Sequence, residues 1–521
     1  MAVCKTLCAG IFLASALVHL GAAAQASAAP AAEASSLSRK EGRIMLDYQQ
    51  VKVAGDEPID FMGLHVLKPV TDSVWIGAGV YAPLFKGEYG GFTAFDVGVH
   101  LRHRLTQQVF AAAGLAAGGG GGGRGIEQSK SLSGTGGFYK GYLGLGYEFP
   151  DFSLGLNVSK MKFKRSAIDG TQANVFMEIP YSYLTGPFSR NGEPLSAADS
   201  RLAADKAGES TLTLVLDNYR QLRPQGSYKG RLQVADLQYA NYFAADSYWY
   251  FGLGVGLGGL PLYNHVIGGL GQRLALSPNL TLHGQLGVGS GGYAPELIDT
   301  RSGLLVYPRL SAEYALTKNL GLSLSAGYLV GPKGSWKNQT FGVALTHHIR
   351  SGNTNRSTSP DAVFATAASQ NGATFQAFRF GVFQQTEFNI RYRNLVGETL
   401  QSVGLQGDAI LNDRWYIPLQ AAVGYSAYFG YPGYGEVLTG LGVQTLAGPA
   451  DRMQFFGQLM AGANVHGPAV KASGGLRYAL NEQLALQAEA GRTAARSSSG
   501  GRFSADSLSL GLVYRFSVVQ R

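Results

Sequence analysis

Cysteine is nearly missing: the 521-residue chain holds two, Cys4 and Cys8, both within the first ten positions. Cys8 is a poor lipid-attachment residue, because the apolar stretch lies mostly after it. The N-terminal run carries one cation, Lys5, then apolar residues from about Ala9 to Ala24 and small residues through Ala29. Ala26-Ser27-Ala28 has the small-x-small spacing of a secretory cleavage site. Cleavage after Ala28 removes both cysteines, which excludes a small disulfide-stapled domain. Charge is scarce as well, at 15% against roughly 25% in ordinary soluble chains, and this argues against a multi-domain cytosolic enzyme. Proline is low at 19 and the 73 glycines keep no triplet period, so collagen is out. Aromatics are not scarce, at 11%, and a chain so supplied is not disordered. Beyond the leader no apolar run approaches the ~20 residues of a membrane helix. If the mature chain enters a bilayer, it does so as strands.

What is present is alternation. In Tyr250-Phe251-Gly252-Leu253-Gly254-Val255-Gly256-Leu257 large apolar residues recur at every second place, and Leu320 to Ser325 and Phe152 to Val158 repeat the pattern. A period of two puts one set on each face of a sheet. Many such segments run to ten residues or more, beyond the ~5–6 usual in globular strands. They match the ~9–11 residues that a tilted strand needs to cross a bilayer.

The unit occurs three times. Asp72-Ser73-Val74-Trp75-Ile76, Asp246-Ser247-Tyr248-Trp249-Tyr250 and Asp413-Arg414-Trp415-Tyr416-Ile417 form one landmark, a turn followed by an aromatic strand. A second follows in step: Tyr314-Ala315-Leu316-Thr317-Lys318-Asn319-Leu320 matches Tyr478-Ala479-Leu480-Asn481-Glu482-Gln483-Leu484, with Tyr147 to Phe152 as a fainter copy. Two landmarks in register indicate internal triplication. Eight strands fit the second copy, at about 210–222, 227–243, 248–260, 265–276, 280–291, 300–316, 320–330 and 337–349. Tight polar turns alternate with longer loops, as in outer-membrane barrels. The expected fold is therefore all-β, a transmembrane antiparallel barrel of about 24 strands from three repeats of eight. One wide barrel is the favoured closure, with three tandem eight-stranded barrels as the alternative. The expected segments are a signal peptide at 1–28, a linker at 29–41, repeat 1 at 42–183, a linker at 184–209, repeat 2 at 210–349, a linker at 350–373 and repeat 3 at 374–521.

The last strand carries the sharpest motif. Ser509-Leu510-Gly511-Leu512-Val513-Tyr514-Arg515-Phe516 reads polar-x-Gly-x-x-aromatic-x-aromatic. It resembles the β-signal of bacterial outer-membrane barrel proteins, with Gly511, Tyr514 and Phe516 at its fixed places. The departure is the tail from Ser517 to Arg521, where such proteins usually stop at the aromatic. The resemblance implies residence in the outer membrane of a Gram-negative cell as a multi-pass barrel. It also implies two kinds of partner: the barrel-assembly machinery, and outer-membrane lipids with lipopolysaccharide.

Motifs of catalysis fail one by one. Gly254-Val255-Gly256-Leu257-Gly258-Gly259 matches a dinucleotide string but lies in a strand and opens no helix. The run Gly118 to Gly123 has no Lys-Ser/Thr after it and reads as a mobile surface loop. His347-His348 lacks a third ligand at a metal-site spacing. With Ser351 it comes near the His-Ser pair of lipid A hydrolases but misses the interval. No enzyme activity, cofactor, metal or nucleic-acid partner is expected.

Charges on the strands are more informative. Asp96, His100, Arg102 and Arg104 alternate with apolar residues, as do Arg379, Glu387, Arg391 and Arg393. Since lipid takes the apolar face, these eight are expected to line the lumen. Lys160, Lys162 and Lys164 continue the lipid-facing phase of their strand toward a long loop, where they could meet phosphates of lipopolysaccharide. A lumen enclosed by 24 strands exceeds the needs of small solutes. The expected function is passage of a large or polymeric solute, foremost export of an anionic polysaccharide with a periplasmic export partner. The alternative is a non-conducting structural or adhesive protein of tandem small barrels.

Overall fold

The computed structural model describes residues 36–204, 208–260, 263–351, 373–397, 399–430, 432–446, 452–497 and 500–520. The expected signal peptide, most of the linker at 29–41 and nearly all of that at 350–373 lie outside the described residues. The first barrel comprises β1 (Ser38–Val51), β2 (Ile59–Pro69), β3 (Val74–Pro83), β4 (Thr93–Arg104), β5 (Val109–Gly121), β6 (Gly137–Glu148), β7 (Ser153–Phe163) and β8 (Asp169–Thr185). The second comprises β9 (Gly208–Gln221), β10 (Leu232–Tyr242), β11 (Ser247–Gly258), β12 (Asn264–Ser277), β13 (Leu280–Gly292), β14 (Leu304–Ala315), β15 (Leu320–Val330) and β16 (Lys337–Ser351). The third begins with β17 (Thr374–Tyr392) and a two-residue spur, β18 (Leu395–Val396). It continues through β19 (Leu400–Ile410), β20 (Trp415–Gly424), β21 (Gly435–Gln444), β22 (Met453–Asn464), β23 (Gly467–Ala479), β24 (Leu484–Arg496) and β25 (Arg502–Gln520).

Each repeat closes on itself. β1 pairs with β8, β9 with β16 and β17 with β25, all antiparallel. The favoured single wide barrel is thus corrected to three tandem eight-stranded barrels. The physical reason is that a ring of eight brings the inward cations and carboxylates of one repeat together across a narrow bore, and the first linker accommodates it: after β8 the chain leaves the sheet for a 3-10 turn, Phe188–Arg190, and a helix, Ala197–Ala204. The last strand of the repeat is left free to meet its own first.

The tight turns follow from side chains that cap them. Thr71 Oγ1 accepts from the backbone N–H of Val74, Thr106 Oγ1 from Val109 and Thr317 Oγ1 from Leu320, at 2.9–3.1 Å. Asn412 and Asn481 do the same for Trp415 and Leu484. A short Thr or Asn side chain that satisfies the turn's own N–H groups makes a four-residue connection stable. All these turns lie at one end of the barrels, and the long connections lie at the other.

The solvent is lipid, because polarity is inverted. On β15 Ser323 and Ser325 are buried, whereas Leu322 and Leu324 are exposed, Leu324 by 65%. Leu115, Leu143, Leu156, Leu286, Leu310 and Leu459 are likewise open on the outer faces. A water-soluble protein does not expose contiguous apolar belts around polar interiors. Among the described residues no helix is long and apolar enough to cross a membrane. The strands make the crossing.

The three barrels touch through glycine. A Cβ on Gly119 would lie 2.4 Å from the carbonyl oxygen of Gly424, one on Gly137 2.4 Å from that of Tyr425, and one on Gly91 2.7 Å from the carbonyl carbon of Gly292. The run Gly118 to Gly123 is therefore no mobile loop. Gly118 to Gly121 end β5 and are buried: Gly119 meets the backbone of barrel 3, which only a residue without a side chain allows so close, and Gly118 and Gly120 abut β4. Barrels 1 and 2 are joined at the same end by Gly90 N–H donating to Arg301 O, Ser302 Oγ to Leu84 O and Asn264 Nδ2 to Gly91 O.

Candidate functional site

Alternation sends small and polar side chains inward, and eight strands leave a bore that side chains can fill. In barrel 1 Lys140 on β6 crosses to Asp47 on β1, two strands that are not neighbours. His65 stands between Asp47 (3.8 Å) and Asp96 (3.5 Å), and Tyr81 Oη donates to Asp96 at 3.1 Å. Nearer the tight turns Arg102 on β4 reaches Glu178 on β8, half the circumference away, and also Glu148 at 3.1 Å. Arg43 joins Glu178 at 3.2 Å.

Barrels 2 and 3 repeat the scheme with other residues. Arg309 on β14 lies 3.5 Å from Asp217 on β9, and Arg273 on β12 lies 2.8 Å from Glu209 on β9. His348 sits between Glu209 (2.9 Å) and Glu313 (2.6 Å). Between these two layers is a polar cavity lined by Thr213, Gln238, Gln285, Ser311, Ser325 and Thr346, among others. In barrel 3 Lys471 on β23 is fully buried and donates to Gln385 on β17 at 2.7 Å and Gln420 on β20 at 2.9 Å, with Glu436 at 3.4 Å. Below it Asp408 receives Arg379 at 2.9 Å and Arg477 at 3.4 Å. In all three barrels a cation on the sixth strand of the ring reaches across toward the first.

The loop ends are closed by apolar and aromatic clusters. Barrel 1 has Phe61, Tyr89, Phe92, Phe138 and Phe163, and barrel 2 has Tyr219, Tyr263, Leu329 and Trp336. Barrel 3 has Tyr428, Tyr434 and Phe503, with His466 from the turn after β22 stacked on Phe503 at 4.8 Å and held by Tyr428 Oη at 2.7 Å. Burial holds the His466 imidazole at about 4, below its ordinary 6.5, and the nearby Arg393 adds to the effect. At its other end barrel 3 is stopped by Phe188 of the linker, which packs on Ala377, Ile410, Tyr416 and Phe456.

The expected lumen residues divide. Asp96, His100 and Arg102 point into barrel 1, and Arg379 and Glu387 into barrel 3. They do not share a lumen, because no common one exists. Arg104 is at the rim, exposed and 3.0 Å from Glu148. Arg391 and Arg393 lie on the outer surface beyond the loop end. A register shift between Phe388 and Arg391, with Asn389 at φ +52°, inverts the alternation there and turns Ile390 inward instead. Lys160, Lys162 and Lys164 emerge outward at the loop end of β7, the first two on Asp169 at 3.2 and 2.6 Å. His347 and His348 part company: His348 is inside, and His347 faces Gln520 at 3.3 Å.

Gly511, Tyr514 and Phe516 lie on the closing strand β25, as the motif requires. Tyr514 and Phe516 are half-buried, with Lys68 Nζ of barrel 1 at 2.9 Å from the Tyr514 ring centre and Phe516 stacked on Phe378 at 6.1 Å. The tail past Phe516 has its own partners. Ser517 exchanges two backbone hydrogen bonds with Gly186, at 2.9 and 3.0 Å, and its hydroxyl donates to Pro187 O. Sequence alternation missed Asp47, Lys140, Glu178 and Lys471. Each was legible as a lone charge in the inward phase of an alternating strand.

No protein-family model matches the chain, and no curated protein matches it. Solved structures similar to it are barrels. The ferric enterobactin receptor PfeA of Pseudomonas aeruginosa aligns at 11% identity over 93% of this chain and 82% of its own, with a TM-score of 0.28. The Yersinia pestis outer membrane protein Ail aligns at 15% identity over 27% of this chain and 99% of its own, with a TM-score of 0.21. A de novo designed transmembrane β-barrel aligns at 14% identity over 28% and 98%, with a TM-score of 0.19. With apolar belts outside, charged networks inside and every sheet closed, this chain has the architecture of the outer-membrane β-barrel proteins, in three successive copies.

Proposed function

We propose that the protein is a non-conducting structural outer-membrane protein that presents its loop end, and the basic rim of barrel 1, at the cell surface. The observation that carries this reading is that ion pairs cross the bore in every barrel: Lys140 to Asp47, Arg309 to Asp217 and Arg477 to Asp408. Polymer passage, including export of an anionic polysaccharide, needs an open bore, and the crossed lumens do not offer one. Adhesion or scaffolding needs only a rigid body with a fixed surface, which the glycine contacts between barrels supply. Lys160 and Lys162, paired with Asp169, and Lys164 beside them form the basic rim that meets phosphates of lipopolysaccharide in this reading.

The test is electrical. The refolded full chain in planar bilayers is expected to give no large conductance steps at any voltage the bilayer tolerates. Large, stable steps would overturn the structural reading and restore transport. For the basic rim, the triple Lys→Gln variant at 160, 162 and 164 is expected to retain several-fold less lipopolysaccharide on purification. Unchanged retention removes that contact.

A further inference from the structure

At the tight-turn end of the molecule the three barrels meet at a cluster of hydrogen-bond donors. Lys40 on β1 stands opposite Tyr183 on β8, and Gly42 stands opposite Tyr181. Lys40, Lys68, Tyr181 and Tyr183 all take the outward phase of barrel 1, because their strand neighbours Leu67 and Met45 are in its core. Tyr181 and Tyr183 stack at 5.8 Å. Tyr183 is close enough to Tyr514 of barrel 3, and Tyr181 to Tyr239 of barrel 2, for each pair to interact electrostatically. Lys68 Nζ covers the Tyr514 ring at 2.9 Å. Tyr239 Oη lies 3.0 Å from Ser210 Oγ.

The charge balance of this junction is one-sided. Continuing the β1–β2 register one residue past Arg43 and Leu67 sets Lys68 beside Gly42, two residues from Lys40 on the same outer face. Among the described residues no ion pair joins either lysine to a carboxylate. Two ammonium groups held near each other at a half-buried junction repel, and the repulsion is relieved by an anion between them. The phenols add hydroxyl donors from all three barrels. Toward the loop end the same outer faces turn apolar: Val66, two residues from Lys68, is 52% exposed, and Ile179, two from Tyr181, is 37% exposed. Two residues of strand span roughly 7 Å, so the amines stand one step outside the hydrocarbon boundary.

We propose that this junction binds the phosphate of a glycerophospholipid from the periplasmic leaflet, with its acyl chains along Val66 and Ile179. Lys40 and Lys68 neutralise the phosphate, and Tyr181, Tyr183 and Tyr239 donate to its oxygens. The lipid then adds to the Gly186–Ser517 pairing in tying barrel 1 to its neighbours at this end. Neither the conductance of the protein nor the basic rim of β7 enters this assignment.

The experiment is native mass spectrometry of the full chain extracted in mild detergent. The wild type is expected to carry one phospholipid through washing with inorganic phosphate, because acyl contacts add to the headgroup's. The double variant Lys40→Gln, Lys68→Gln is expected to retain at least tenfold less while keeping its heat-modifiable mobility. Should the double variant fail to fold, each single variant is read in the same way, with about half the loss. Equal retention by folded variants, a wild type without bound phospholipid, or full displacement by inorganic phosphate would each overturn the proposal.

Discussion

Replacing Lys140 by Met separates a filled barrel from an open one. Lys140 is 3% exposed and Asp47 1% exposed, and the two are bonded across barrel 1. Methionine keeps the length of the side chain and removes the charge, so Asp47 keeps only His65, at 3.8 Å, as a basic neighbour. Breaking a buried pair by deleting one partner costs about 3–5 kcal/mol, mostly because the other charge is stranded. At ~1.4 kcal/mol per tenfold change, the unfolding equilibrium of barrel 1 should move by about two to four decades. Removing both charges, Lys140→Met with Asp47→Leu, should recover most of that loss, since an apolar pair of similar volume is often neutral.

The assay is urea unfolding of the protein in lipid vesicles, read by loss of the heat-modifiable band, for wild type, both single variants and the double variant. The reasoning requires a large positive coupling in this cycle. In a water-filled pore the same lysine would be solvated, and surface-like pairs contribute only ~0–1 kcal/mol. A Lys140→Met protein that unfolds at the wild-type urea concentration, and shows altered ion selectivity in a bilayer, would refute the filled interior.

Three further outcomes are expected. Gly119→Val puts a branched side chain where a Cβ already lies 2.4 Å from Gly424 O; barrels 1 and 3 should come apart at the loop end, seen as new protease cleavage between them, while each stays folded. Tyr514→Ala with Phe516→Ala should reduce membrane insertion, measured as the folded fraction in outer-membrane preparations, and normal insertion would make β25 an ordinary strand. Because His466 is held near 4 against an unfolded 6.5, the unfolded chain binds the proton first; its contribution is full above about pH 6.5 and fades toward pH 4, by at most ~3 kcal/mol. The loss of stability across that window should be smaller in His466→Phe, and an equal loss in both proteins would place the sensitivity elsewhere.

Much of this fold is written in strand periodicity. Ser323-Leu324-Ser325 alternates as plainly in sequence as in the barrel wall, and Asp246-Ser247 and Asp413-Arg414 mark turns because a short capped turn needs such residues. The inward phase of Asp96, Arg102 and Arg379 follows from the same period. What periodicity does not contain is where it breaks. Asn389 adds a residue out of step, and Arg391 and Arg393 change faces without any change in composition. Nor does it contain contacts between separate barrels: Gly119, within a run of glycines that looks like slack chain, takes its meaning from Gly424 some three hundred residues away. The tail after Phe516 looks like a flaw in the closing motif until Gly186 is set beside it.

The choice of closure is the deepest of these gaps, and the charges explain it. Three similar repeats allow two pairings for each first strand: with the last strand of its own copy, or with that of the copy before. Backbone hydrogen bonds do not discriminate, since both ladders are antiparallel. The interior side chains do. Lys140 finds Asp47, Arg309 finds Asp217 and Arg273 finds Glu209, each within its own repeat and each across the bore. In a 24-stranded ring these partners would be several strands apart along one wide wall, facing water, and the pairs would be lost. Closing in eights satisfies every one of them at short range and shortens the loops that folding must close, which lowers their entropic cost. The acid-base complement of each repeat is therefore the instruction to close early, and the linker strap under barrel 3, with Phe188 in its mouth, is folded on the result.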